Sequence, residues 1–157
     1  MRDTFIGALR NVVYPVSIVS SSGEDKKYAI TVSSVTSVSI DPPSLLVCIN
    51  KNSSFIDSIA NDSFMNINFL NPRQKDIASI CSSKDKASQR FDNEQWTEDQ
   101  NGTPYLKKSE AVMFCKVVKF IPHATHFIVI LAVDKVINNN DSIPNPLLYC
   151  DGKYFNI

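Results

Sequence analysis

Hydrophobic and polar positions alternate along most of this chain, and only short stretches keep helical spacing. Phe5, Ala8, Leu9 and Val12 recur at helical intervals and predict a short amphipathic helix over residues 3–12. Val16 to Ser20 reads as a first strand, and Ser21-Ser22-Gly23-Glu24-Asp25 as the turn after it. From Ala29 to Ile40 the two-residue period is uneven. Thr31, Ser33, Ser37 and Ser39 share one parity; Ile30, Val32, Val38 and Ile40 share the other, interrupted by Ser34 and Thr36. One strand is expected here, packing on one face and presenting a row of hydroxyls on the other. Asp41-Pro42-Pro43 ends it, Leu45 to Ile49 forms the next strand, and Asn50-Lys51-Asn52-Ser53-Ser54 leads into a short helical pattern at Phe55, Ile56, Ile59 and Ala60.

Strand character resumes at Phe64 to Leu70, with Met65, Ile67 and Phe69 on one face and Asn66 and Asn68 on the other. Asn71-Pro72 is a helix start, with Asn71 as N-cap, and Ile77, Ile80 and Cys81 would form the buried stripe. Residues 82–110 are polar and lack clean periodicity. So long an irregular stretch suggests a lid or a dimer-embracing excursion, anchored by Phe91, Trp96, Tyr105 and Leu106. Strands follow at 111–121 and 125–137, and a final hairpin turns at Asp151-Gly152. Many strands, short peripheral helices and local connections favour an antiparallel barrel over a βαβ sheet.

The 157 residues suit one domain spanning 1–157, and 43% hydrophobic content is that of an ordinary folded globule. Lysine plus arginine and aspartate plus glutamate balance at 16 each, so no bulk field favours nucleic acid or anionic lipid. No apolar run reaches membrane-spanning length, and the first residues do not read as an export leader, so a soluble cytoplasmic protein is expected. Cys48, Cys81, Cys115 and Cys150 stand singly and read as reduced, packed thiols.

Four scattered glycines exclude a Rossmann fingerprint and a P-loop, which need clustered ones. His123 and His126, three apart in strand context, should point to opposite faces and so do not suggest a shared metal. No G-x-S-x-G elbow marks an activated serine. What is left is a cofactor that carries its own reactivity. A flavin needs a slot for its ring, hydrogen-bonding groups around it and an anchor for its phosphate. The hydroxyl strand would supply the first two; Ser53 and Ser54 at a helix start, with Lys51 beside them, would supply the third. The alternative is a Ser/Thr-rich strand facing solvent, with Ser53 only capping its helix.

The order T-V-S-S-x-x-S-V-S-x-D-P-P-x-L-L-V-C-I-N-K-N-S-S-F, from Thr31 to Phe55, resembles the flavin reductase-like family. Phe64 to Leu70, Arg90-Phe91, Thr125-His126 and Pro146 to Tyr149 with Tyr154 follow in that family's order. The resemblance implies a mainly β, antiparallel Greek-key split barrel that binds FMN, paired as a homodimer. It further implies hydride transfer from NADH or NADPH to FMN, with FAD or riboflavin as other acceptors, and a flavin-dependent monooxygenase as recipient. Carried over, Thr31, Val32, Ser33, Ser34, Ser37, Val38 and Ser39 would line the ring and ribityl, and Cys48 and Asn50 would flank them. Lys51, Ser53, Ser54, Phe55 and Arg90 would hold the phosphate; His126, as the catalytic candidate, and Tyr154 would border the nicotinamide. Ala29, Ala124 and Leu131-Ala132 depart from the family's usual residues. Rival readings are an FMN protein for electron transfer or sensing without nicotinamide turnover, and a non-catalytic interaction module.

Overall fold

The computed structural model describes residues 1–139 and 143–157. In chain order its elements are α1 (Arg2–Arg10), β1 (Tyr14–Pro15), β2 (Ser17–Ser22), β3 (Lys27–Val32), β4 (Thr36–Ile40), β5 (Pro43–Asn50) and β6 (Phe64–Phe69). There follow α2 (Lys75–Ser82), β7 (Trp96–Glu98), β8 (Pro104–Leu106), β9 (Ala111–His123), β10 (His126–Asn138), β11 (Leu148–Cys150) and β12 (Lys153–Phe155). Seven strands make one antiparallel sheet in the order β3-β2-β6-β9-β10-β5-β4. Its two edge strands, β3 and β4, are consecutive in the chain, joined only by Ser33, Ser34 and Val35. Four residue steps reach about 14 Å at most. Only a sheet rolled on itself brings its edges that close, yet no ladder joins them. The result is a split barrel.

Ser34, in the connection across this seam, extends the β4–β5 register: its Oγ donates to the Cys48 carbonyl at 3.1 Å and accepts the Cys48 N–H at 3.1 Å. The single strand expected over 29–40 is therefore two strands on opposite sheet edges. The interruption at Ser34 and Thr36 is where the chain crosses between them. A parity fault reads as noise in one strand but marks an edge-to-edge passage in a barrel.

Val19, Val47, Ile49, Met65, Ile67, Val117, Val129 and Leu131 fill the barrel interior, with Phe55 packed among them. Each such fully buried aliphatic side chain stabilises by roughly 1.5–3 kcal/mol. Phe55 belongs to a 3₁₀ turn, Ser54–Ser58, which replaces the short helix expected at 55–60. A second core, with Val16, Ile18, Ala29, Leu70, Ile77, Ala78 and Cys81, lies between α2 and the other face of β2 and β3. β2 is thus buried on both faces, which explains its unbroken burial from Ser17 to Ser21.

α2 begins as the sequence demands. Asn71 Oδ1 accepts the Arg73 N–H at 3.1 Å and Gln74 Oε1 accepts the Asn71 N–H at 3.2 Å, a reciprocal cap over Pro72–Gln74 that continues into α2. The polar excursion of 82–110 carries the β7–β8 ribbon, laid against β6. Asn66 donates to Asp99 Oδ2 at 2.9 Å and to the Thr103 carbonyl at 3.2 Å. Asn68 donates to the Ile18 carbonyl at 2.9 Å and accepts the Leu106 N–H at 2.8 Å. The amide face of β6 is therefore buried under this ribbon rather than exposed. The terminal hairpin β11–β12 turns at Asp151 (φ 46°) and Gly152 (φ 77°), as Asp-Gly predicts, and β11 pairs with β1.

Candidate functional site

Three adjoining depressions form a groove beside β3, α2 and the terminal hairpin. The first, of about 460 Å³, has Asn50, Asn52, Ser53 and Ser54 on one side and Ser82, Lys84 and Arg90 on the other, over Ile30 and Cys81. The second, of about 280 Å³, joins it at Ser82 and is bordered by Thr31, Val32, Ser33, Tyr149 and Tyr154. The third, of about 430 Å³, shares Ser33 and Tyr149 and ends against Ile6 and Leu9 of α1 and Val12 just beyond it. These three side chains are exposed, and α1 buries none of its residues.

Local structure fixes the walls. Thr31 Oγ1 donates to the Ala78 carbonyl at 2.6 Å, tying β3 to α2. Ser53 Oγ accepts the Phe55 N–H at 3.2 Å and so shapes the coil after β5. Arg90 is held by two carbonyls, Nη1 to Ala29 at 2.9 Å and Nη2 to Ser83 at 3.0 Å, while Trp96 Nε1 donates to the Arg90 carbonyl at 2.8 Å. Among the described residues, its buried Nε has no partner. A desolvated guanidinium donor left unmatched costs about 1–3 kcal/mol. Burial raises the Tyr154 pKa against the opposing pull of the Ser82 and Ser79 hydroxyls, and its ring meets Tyr149 edge-on at 5.5 Å. Burial likewise pushes the Cys81 thiol up to about 12, against the opposing pull of Arg90. Cys81 is thus a neutral floor residue.

The groove gathers Thr31, Val32, Ser33, Ser34, Asn50, Ser53, Ser54, Arg90 and Tyr154 of the residues singled out by sequence. The others lie elsewhere. Ser37, Val38 and Ser39 sit on edge strand β4, where Ser39 Oγ donates to the Asp41 carbonyl at 2.9 Å; the seam separates them from the Thr31 row. Cys48 bonds Ser34 through its main chain, and its half-buried side chain stands opposite Ile128 of β10. Phe55 points into the barrel core. Lys51 turns away: its Nζ donates to the Ala124 carbonyl at 2.8 Å and lies 5.4 Å from the Phe127 ring. His126 is exposed at the start of β10, 2.8 Å by Nδ1 from Thr125 Oγ1, opposite Asn50 on β5 and His123 on β9. The two histidines thus flank one hairpin turn rather than sharing a strand. Sequence reasoning missed Ser82, Lys84 and Tyr149. The first two follow directly on the Ile77, Ile80, Cys81 stripe, and that was their only local signal.

A separate cavity of about 380 Å³, walled by Phe64, Asn66, Asp99, Tyr105, Phe114 and Asp134, shares no residue with the groove. Among the described residues no three His, Cys, Asp or Glu side chains gather as a metal site, and no helix is long and apolar enough to cross a membrane.

The architecture is a small antiparallel split barrel with an open, hydroxyl-bordered groove. The chain belongs to the flavin reductase-like family: the profile of the flavin reductase like domain matches residues 9–157. It is 31% identical over 156 residues to the reductase component of an FADH2-dependent resorcinol hydroxylase from Rhizobium sp., covering 97% of this chain and 85% of that one. It is 27% identical over 153 residues to the FMN reductase (NADH) RutF of Pseudomonas syringae, covering 98% and 85%. A flavin reductase domain protein from Arthrobacter sp. superposes with a TM-score of 0.91 at 23% identity, over 100% of this chain and 96% of that one.

Proposed function

We propose that this chain is an NAD(P)H:flavin oxidoreductase. Family membership supports the reading, as do relatives named as an FMN reductase using NADH and as a hydroxylase's reductase component. Within the structure, the observation that carries it is the groove's composition: Arg90 with Ser53 and Ser54 at one end, and hydroxyls around a ring-sized section next to it. When bound, the flavin would supply the hydride acceptor for a nicotinamide donor, with solvent supplying the balancing proton.

The protein's part is placement. Asn50, Ser53, Ser54 and Arg90 would take the ribityl phosphate of FMN. Thr31, Val32, Ser33 and Ser34 would border the ring, and Tyr154 would limit the space left for a nicotinamide. Holding two rings in contact converts an encounter into an oriented transfer, and that is where most of the acceleration would originate. His126, beside Asn50 at the strand end, would orient the carboxamide or relay a proton.

FAD and riboflavin are alternative acceptors, and NADPH an alternative donor. The reduced flavin would pass to a flavin-dependent monooxygenase. A homodimer fits the apolar outer face of β5 and β10, and four unpaired thiols fit a cytoplasmic setting. The test is direct: the purified protein is mixed with NADH or NADPH and each flavin, and loss of nicotinamide absorbance is followed. Flavin-dependent oxidation well above background is expected. Its absence with FMN, FAD and riboflavin would overturn the proposal; flavin bleached by dithionite alone would favour an electron-transfer role.

A further inference from the structure

We propose that Lys84, and not Lys51, is the cation that reads the flavin phosphate, and that it makes the protein prefer FMN to riboflavin. The inference rests on the reading above that the groove holds flavin. Lys51 is the natural candidate by sequence, two residues before Ser53. In the fold its main-chain N–H donates to the Thr125 carbonyl at 3.0 Å and its ammonium to the Ala124 carbonyl at 2.8 Å, so it clamps the β9–β10 turn. Lys84, just past the C-terminal end of α2, borders the same depression as Ser53, Ser54 and Arg90.

Charge is segregated along the groove. Among the described residues, Lys84 and Arg90 are the only charged side chains of the first depression, with no carboxylate in its walls, although the whole chain is neutral. The middle depression has no charged wall at all, and the third offsets Arg10 with Asp151. A phosphate monoester carries up to two negative charges and so belongs in the first. Arg90 is fixed there by two carbonyls, whereas the two ion pairs among the described residues, Lys27–Glu98 and Lys116–Asp62, leave Lys84 out. A flexible exposed ammonium can follow the phosphate where a clamped guanidinium cannot.

The experiment is equilibrium titration of FMN and of riboflavin, read by flavin fluorescence, on the wild type, Lys84→Gln, Lys84→Arg and Lys51→Gln. The wild type is expected to bind FMN more tightly than riboflavin. Lys84→Gln should weaken FMN about fivefold, as loss of one exposed charge pair implies, and leave riboflavin unmoved. Lys84→Arg should restore the difference, and Lys51→Gln should leave both affinities alone. Added salt should narrow the FMN preference of the wild type more than that of Lys84→Gln. An unchanged FMN-to-riboflavin ratio in Lys84→Gln overturns the inference, as does a ratio that moves only in Lys51→Gln. Failure of the wild type to bind either flavin would overturn the flavin reading itself, whichever lysine is altered.

Discussion

Ala124 sits at φ 43° in the turn between β9 and β10, a left-handed conformation that a side chain resists. For an L-residue other than glycine this costs about 1–2 kcal/mol. The family resemblance marks the position as a glycine, so the chain tolerates local strain next to His126. Its carbonyl also accepts the Lys51 ammonium, an interaction the side chain does not make. Ala124→Gly should therefore relieve strain and keep the clamp. We expect stabilisation of about 1 kcal/mol and a melting temperature roughly 2–4 °C higher for a domain of this size. Calorimetry checks this, and an unchanged or lower melting temperature would mean that the turn is held by something other than its backbone preference.

Ribbon β7–β8 depends on two asparagines of β6, and that dependence sets the second scale. Asn68 serves the Ile18 carbonyl, Ser20 Oγ and the Leu106 N–H, all of them buried. Asn68→Ala strands the Leu106 donor and removes two further bonds, for an expected loss of about 2–4 kcal/mol. Urea unfolding measures it, and hydrogen exchange at Leu106 should accelerate before exchange in β9 does. Period-two reading put Asn66 and Asn68 on one face, but what covers that face comes from 38 residues downstream and leaves no local mark. The Asn71 cap and the Asp151-Gly152 turn were legible because their chemistry lies within four residues. The β3–β4 break was not, because a seam belongs to the rolled sheet as a whole and not to either strand. The site divides in the same way. Thr31 to Ser34, Asn50, Ser53, Ser54, Arg90 and Tyr154 do border the groove, while Lys84 enters only because α2 ends where it does.

At the scale of the molecule, the outward rows of the sheet raise the question of what covers them. Cys48, Ile128 and Ile121 stand side by side on β5, β10 and β9, and Leu46 and Ile130 form the row beside them. None of these is fully buried, and Ile121 is 37% exposed. Asn50, His126 and His123 continue the same face at its edge. The proposed homodimer would cover this patch with its own copy, as a two-fold pairing requires. It would also put His126 at the margin of the interface, which accounts for a catalytic candidate standing outside its own chain's groove. Ile128→Glu places a carboxylate in the middle of that patch. The variant should stay folded, because Ile128 lies outside both buried cores, and should sediment as a monomer where the wild type sediments as a dimer. If the site draws His126 from the second copy, nicotinamide oxidation should fall in step with dimer content, while the FMN affinity of the isolated chain should hold. A monomeric wild type, or an Ile128→Glu dimer, would remove the pairing and with it this account of where His126 acts.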